Sequence, residues 1–237
     1  MRTPIFVIMT TYNRQSVAVR TVQAMLQNLQ YPDGELRWII CDDGSSDEHY
    51  LDPIVTLLTK TERDDIFLQG LVNGKRRGVG WMMNTAIRLV KETFGGQLLM
   101  ILEDDWELVR PLDISPYADL LVSHVDMGMV RLGYLSPNIN ATIISRNDRL
   151  WWKIEPNGET YRYSGHPSVR HIRFHEVYGL FDEGLPPGYT ELSMCGKVNA
   201  KPNGPAILIP IEYEQRWGFF HHIGSESLAD VAPERWA

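Results

Sequence analysis

The first half of the chain alternates short apolar runs with amphipathic stretches. Ile5-Phe6-Val7-Ile8-Met9 is a continuous apolar run of strand length, and it predicts a central strand buried on both faces. Residues 15–29 follow with Val19, Val22, Leu26 and Leu29 at helical spacing, and Tyr31-Pro32-Asp33-Gly34 stops that helix. Leu36 to Cys41 is a second apolar run. The polar turn Asp42-Asp43-Gly44-Ser45-Ser46-Asp47 follows, with side chains suited to capping a helix over residues 48–60. Asp65 to Gln69 reads as a third strand, and Gly70 to Gly80 as a loop with four glycines. A helix over residues 80–93 places Met83, Ala86, Ile87 and Val90 on one face, and Leu98 to Leu102 reads as a fourth strand.

This β-α-β-α-β-α-β order predicts an α/β fold: an open, mostly parallel, Rossmann-like sheet with helices on both faces. In such sheets ligands bind beyond the carboxyl ends of the strands. Three polar clusters fall there: Thr10 to Arg14, Asp42 to Asp47, and Glu103-Asp104-Asp105. The second half is less regular. Met127 to Leu132 and Ala206 to Ile211 read as strands and residues 189–200 as a short helix. The aromatic-rich stretch 134–175 reads as a smaller antiparallel elaboration. Its Trp151, Trp152, Tyr161 and Tyr163 suit either strand packing or a sugar-stacking platform. No linker separates two units, so residues 1–237 are expected to form one domain.

Composition narrows the classes. Hydrophobic residues make up 43% of the chain, enough for a substantial core. The net charge of −7 gives no general attraction to nucleic acid or anionic membranes, and Lys75-Arg76-Arg77 is the one tight basic run. Cys41 and Cys195 match no metal-ligand spacing and read as buried thiols in a reducing compartment. No apolar stretch reaches the roughly 18 residues of a membrane span. Met1-Arg2-Thr3-Pro4 runs into a strand rather than a signal peptide. Together these point to a cytoplasmic protein without transmembrane anchoring.

The three clusters carry the chemistry. Consecutive carboxylates are costly unless a cation or a set of donors offsets them. Mg²⁺ or Mn²⁺ takes oxygen ligands and keeps substrate phosphates in its shell. Taken alone, Glu103-Asp104-Asp105 reads equally as a solvated turn. Asp43 can accept hydrogen bonds from a ribose or a base N–H, and Tyr12 offers a stacking face. Either cluster also reads as an ordinary turn.

Together, Phe6 to Arg14, Ile39 to Asp47 and Leu99 to Asp105 resemble the family 2 glycosyltransferases with the GT-A fold, in order and spacing as well as in wording. The resemblance covers about the first 110 residues. It implies a nucleotide-diphosphate-sugar donor, with UDP the family habit, a divalent metal (Mn²⁺ or Mg²⁺) and, for most members, inversion at the anomeric carbon. It makes residues 1–110 the donor-binding half and 111–237 the acceptor-binding and catalytic half. Carried over by position, Tyr12 stacks on the base, Thr10 and Asp43 contact it, and Arg14 belongs to the same donor-binding set. Arg76 or Arg77 falls near the basic donor-binding residue. Glu103-Asp104-Asp105 occupies the place of the D-x-D motif, with Asp105 the metal ligand and Glu103 or Asp104 near the ribose. The leading Glu is a departure that bears on the ribose contact rather than the metal.

An inverting transfer needs a general base. By the same resemblance Glu191, in Tyr189-Thr190-Glu191-Leu192-Ser193, is the candidate, with Asp182 and Glu183 as alternatives. The family often completes its metal shell with a C-terminal histidine, here His222 or, second, His221. His49, His124, His166, His171 and His175 read as structural. Two other classes compete. A nucleotidyltransferase would carry a glycine-rich basic loop after the first strand, where this chain has Thr10-Thr11-Tyr12-Asn13-Arg14. A non-catalytic sugar-nucleotide-binding protein would keep the fold without the base. The acceptor stays open among saccharide, protein, small molecule and modified nucleic acid.

Overall fold

The computed structural model describes residues 2–133, 140–156, 161–186, 188–211 and 218–224. In chain order the elements are β1 (Ile5–Thr11), α1 (Gln15–Asn28), β2 (Leu29–Gln30), β3 (Leu36–Asp42), α2 (Asp52–Thr59), β4 (Ile66–Asn73) and α3 (Val79–Arg88), which continues as a π-helical turn over Leu89–Thr93. Then come β5 (Leu98–Glu103), β6 (Trp106–Leu108), β7 (Leu112–Asp113), α4 (Ser115–Ser123), β8 (Met127–Arg131), β9 (Ala141–Arg146) and β10 (Arg149–Ile154). The described chain closes with β11 (Ser168–His171), α5 (Arg173–Tyr178), α6 (Tyr189–Asn199), β12 (Ala206–Pro210) and β13 (Phe220–His222).

Nine strands form one sheet in the order β4-β3-β1-β5-β11-β8-β12-β10-β9. The block β4-β3-β1-β5 is parallel. Every residue of β1 is buried, which requires cover on both faces and explains its unbroken apolar run. Strand β11 enters antiparallel between β5 and β8, β12 runs parallel to β8, and the hairpin β9-β10 closes the far edge. A separate two-stranded antiparallel ribbon joins β13 to β6. No helix among the described residues is long and apolar enough to cross a membrane.

Several boundaries differ from expectation for identifiable reasons. Strand β4 runs to Asn73, past the expected end at Gln69. Its pairing with β3 slips between Trp38 and Ile39, so Gln69 is the extra residue, and such a bulge interrupts the alternation by which strands are read. In α1 the buried face is Ala18, Thr21, Val22 and Met25, while Val19 and Leu26 are only partly covered. Thr21 lies on the inner face because its hydroxyl donates to the Asp104 carbonyl at 2.7 Å. Helix α2 starts at Asp52, and no side chain caps it. Ser45 instead donates to Asp42, and the Ser46 N–H donates to Asn13 Oδ1 at 2.8 Å. Trp151 and Tyr163 are core residues and Tyr161 is exposed, so the four aromatics form no single platform. Both cysteines are buried, and neither forms a disulfide.

Candidate active site

The site forms where β1, β3 and β5 end side by side: Thr10 lies opposite Cys41 on one side and Glu103 on the other. Asn13 ties the first two loops together. Its backbone has a left-handed φ of 51°, a conformation that Asn tolerates better than most residues. Its N–H donates to Ser45 Oγ at 2.8 Å, and its side chain accepts from the Ser46 N–H. Asp43 fastens the third loop. Its carboxylate accepts the Gly78 N–H at 3.0–3.1 Å, and a Cβ at Gly74 would come within 2.4 Å of Asp43 Oδ1. The basic loop is thereby held over the first, with the Arg76 guanidinium 5.7 Å from the Tyr12 ring centre. Arg77 turns away and stacks on Trp81 at 4.4 Å. Tyr12, Asp43 and Arg76 thus share one corner; Thr10 is buried, and its carbonyl accepts the Asp104 N–H.

The acidic triplet divides by direction. Asp104 is 0% exposed. It accepts from Thr11 Oγ1 at 2.7 Å and from Arg14 Nη2, while Thr11 shares a short contact with the Tyr50 hydroxyl. Burial raises Asp104 to about 6 even though Arg14 and Thr11 pull the other way. Asp105 accepts from Arg14 Nη1 at 2.7 Å, and His222 Nε2 lies 3.3 Å from the same oxygen, Oδ2. Burial opposes its ionisation, but the His222 hydrogen bond and the Arg14 charge outweigh it and hold Asp105 below its ordinary value. The same hydrogen bond raises His222. Burial, with Asp105, Asp104 and Glu191 nearby, pushes Glu103 up to about 8. Arg14 therefore joins the acidic cluster, braced by its backbone N–H donating to Tyr50.

His222 reaches Asp105 because β13 pairs with β6, setting His222 opposite Trp106, and because the Ile223 N–H donates to the Asp105 carbonyl at 2.8 Å. The Trp106 ring packs against both His222 and His166, with ring centres 4.8 and 4.7 Å away. His221 is exposed and sits opposite Glu107. Two observations fit a cation beside Asp105. Its Oδ1 is buried with no hydrogen-bond partner. Gly224 leaves space where a Cβ would stand 2.4 Å from Asp105 Oδ2 and 3.0 Å from His222 Nε2. No group of three or more carboxylate, imidazole or thiol side chains gathers as a metal shell among the described residues. Asp105 and His222 can therefore supply at most part of a shell, as hard cations that keep phosphate and water permit.

Glu191 stands in the first turn of α6 and is drawn to the same place. The Gly165 N–H donates to its Oε1 at 2.7 Å. A Cβ on Gly165 would lie 3.7 Å from Glu191 Cδ and 3.8 Å from Glu103 Oε1. The two alternatives are otherwise engaged. Asp182 accepts from Lys197 at 2.6 Å and from Ser193, and Glu183 accepts from Asn84 at 2.8 Å. Sequence reasoning missed Thr21, Tyr50, Gly165 and Gly224. Thr11 and Gly78 lie in the first polar cluster and the glycine-containing loop, but nothing in the sequence marked them as supports.

A row of acidic groups beside an aromatic and a basic loop, at the carboxyl edge of a GT-A sheet, defines the class. The model for glycosyl transferase family 2 matches residues 6–127, and the chain belongs to that family. Among solved structures it is similar to S. aureus TarS, with a TM-score of 0.65 and 13% identity over 92% of this chain and 36% of that one. It is also similar to S. aureus TarS 1-349 in complex with UDP-GlcNAc, at 0.64 and 15% over 95% and 61%. A third is mannosyltransferase PcManGT from Pyrobaculum calidifontis in complex with GDP-Man and Mn²⁺, at 0.56 and 17% over 90% and 56%. The chain thus spans less than two thirds of the length of each of these structures. No curated protein sequence matches it.

Proposed function

We propose that this protein is a metal-assisted, inverting glycosyltransferase that moves a sugar from a nucleotide diphosphate, UDP by first choice, to an acceptor hydroxyl. One observation carries the reading: Glu191, from a helix nearly ninety positions downstream in the chain, meets Glu103 of the acidic motif across Gly165. A carboxylate facing a diphosphate-binding motif is the arrangement an in-line displacement needs. The relatives solved with UDP-GlcNAc and with GDP-Man and Mn²⁺ support the donor class and the metal.

In this reading Tyr12 and Asp43 receive the base, with Thr10 beneath it. Arg76, lifted from the Tyr12 face, pairs with the diphosphate, and Arg77 is its outer neighbour. Glu103 lies on the ribose side, while Asp104 holds Arg14 and the loop in place. Asp105 and His222 would hold Mn²⁺ or Mg²⁺, which when bound neutralises charge on the departing diphosphate. Glu191 accepts the proton of the acceptor hydroxyl. The acceptor oxygen forms a bond to the anomeric carbon, and the bond from that carbon to the diphosphate oxygen breaks. The nucleoside diphosphate leaves with the bonding electrons. Residues 1–110 would serve the donor and residues 111–237 the acceptor and the base.

The test is product analysis of reactions with UDP- and GDP-sugars, Mn²⁺ and simple saccharide acceptors. The expected product carries one added glycosyl group whose anomeric configuration, read by NMR, is opposite to that of the donor. Retention of configuration would overturn the inverting assignment, and transfer of a nucleotidyl group would overturn the reaction class.

A further inference from the structure

Three observations meet at Gly165. Its N–H donates to Glu191 Oε1 at 2.7 Å. It has no side chain at the point where Glu103 and Glu191 approach, and a Cβ there would touch both at 3.7–3.8 Å. The segment that carries it is bound to α6: Arg162 Nη1 donates to the Val198 carbonyl at 3.1 Å, and Cys195 Sγ to the Tyr163 carbonyl at 3.3 Å. Glu191 and its donor therefore ride on segments fixed to each other. Gly165 is also not among the glycines with left-handed φ, so the backbone here does not require glycine. The separations from Glu103 and Glu191 are ordinary van der Waals contacts, so packing does not require it either. A position that could hold alanine but leaves open a gap between two carboxylates calls for a different explanation.

We propose that Gly165 is a positioning and size-setting residue for the reaction, an assignment that rests on the glycosyl-transfer reading above. Its N–H fixes the rotamer of Glu191, so that one carboxylate oxygen is held by the backbone and the other is left for the acceptor hydroxyl. Its missing side chain keeps clear the space between Glu191 and Glu103 through which the acceptor oxygen and the anomeric carbon must approach. One added methyl would fill that space without disturbing the fold. The base corner at Tyr12 and Asp43 is built from other loops, and a Cβ at residue 165 would stand at ordinary contact distance from Glu103, so nucleotide binding should survive the added methyl.

The experiment compares the wild-type protein with Gly165→Ala in Mn²⁺. Calorimetry gives the Kd for UDP and GDP, and steady-state kinetics give kcat and KM for UDP-GlcNAc and GDP-mannose turnover. Thermal melting serves as the folding control. Expected are unchanged melting, an unchanged nucleotide Kd and a kcat lower by about 100-fold, the size of effect that small misplacements at a reacting centre produce. Turnover equal to wild type in Gly165→Ala would overturn the assignment. So would a parallel loss of nucleotide affinity and turnover, which would mark residue 165 as merely structural. A wild-type protein that binds no nucleotide would instead sink the functional reading on which the assignment stands.

Discussion

At the scale of single residues, similar side chains do different work according to what surrounds them. Asp104 and Asp105 are neighbours in sequence, yet one is sealed beneath Thr11 and Arg14 and the other faces His222 with a bare buried oxygen. The sequence identified the triplet but could not apportion it, because direction at a strand end depends on what packs beneath. The choice between His221 and His222 has the same cause: the register of β13 against β6 decides which imidazole faces Asp105. For Glu191, Glu191→Gln keeps the shape and the Gly165 contact while removing the proposed base. Turnover is expected to fall by about 10²–10⁴-fold, with nucleotide affinity unchanged by calorimetry. Equal turnover would move the role to another group.

At the scale of elements, legibility followed polarity. Strands β1 and β5 were readable because strands buried on both faces must be apolar throughout. Strand β11 was not, because Ser168-Val169-Arg170-His171 looks polar although all four residues are buried in the middle of the sheet. Arg170 is accommodated there by Ser168 Oγ at 2.9 Å, the Tyr163 hydroxyl at 3.2 Å and the flanking rings of Tyr163 and Phe174, partners that no spacing rule reveals. Helix α1 was placed correctly, but its inner face was read only in part, because Thr21 looks like a surface residue until its hydroxyl finds the Asp104 carbonyl. Thr21→Val should therefore cost about 1–3 kcal/mol, the range for stranding a buried acceptor, measured by urea denaturation. A neutral result would show that this link between α1 and the acidic turn carries no stability.

At the scale of the whole molecule, two buried histidines should withdraw stability as the pH falls. His175 is buried against the rings of Phe174 and Phe181. Burial, with the Arg170 charge, lowers it from 6.5 to about 3, and His171 falls to about 4, again chiefly through burial. Below pH 6.5 the unfolded chain binds protons at these two histidines that the folded chain refuses, so their contribution to stability is lost as pH drops from 6.5 toward 3, while the raised Glu103 and Asp104 act in the opposite direction. Relative to wild type, His175→Phe is expected to gain melting temperature as the pH falls through that window. An unchanged slope would mean that His175 is not the linked group.

The parallel first half and the mixed second half together bring Tyr12, Asp43, the acidic triplet and Glu191 to one edge. Whether that edge is a metal-assisted nucleotide-sugar site is tested most directly by thermal shift against UDP-GlcNAc, GDP-mannose, UDP and GDP, with and without Mn²⁺, for wild type and Asp105→Ala. The expected result is a stabilisation of the wild type by at least one of these ligands that requires Mn²⁺ and disappears in Asp105→Ala. A shift that is independent of metal, or that survives intact in Asp105→Ala, would contradict it.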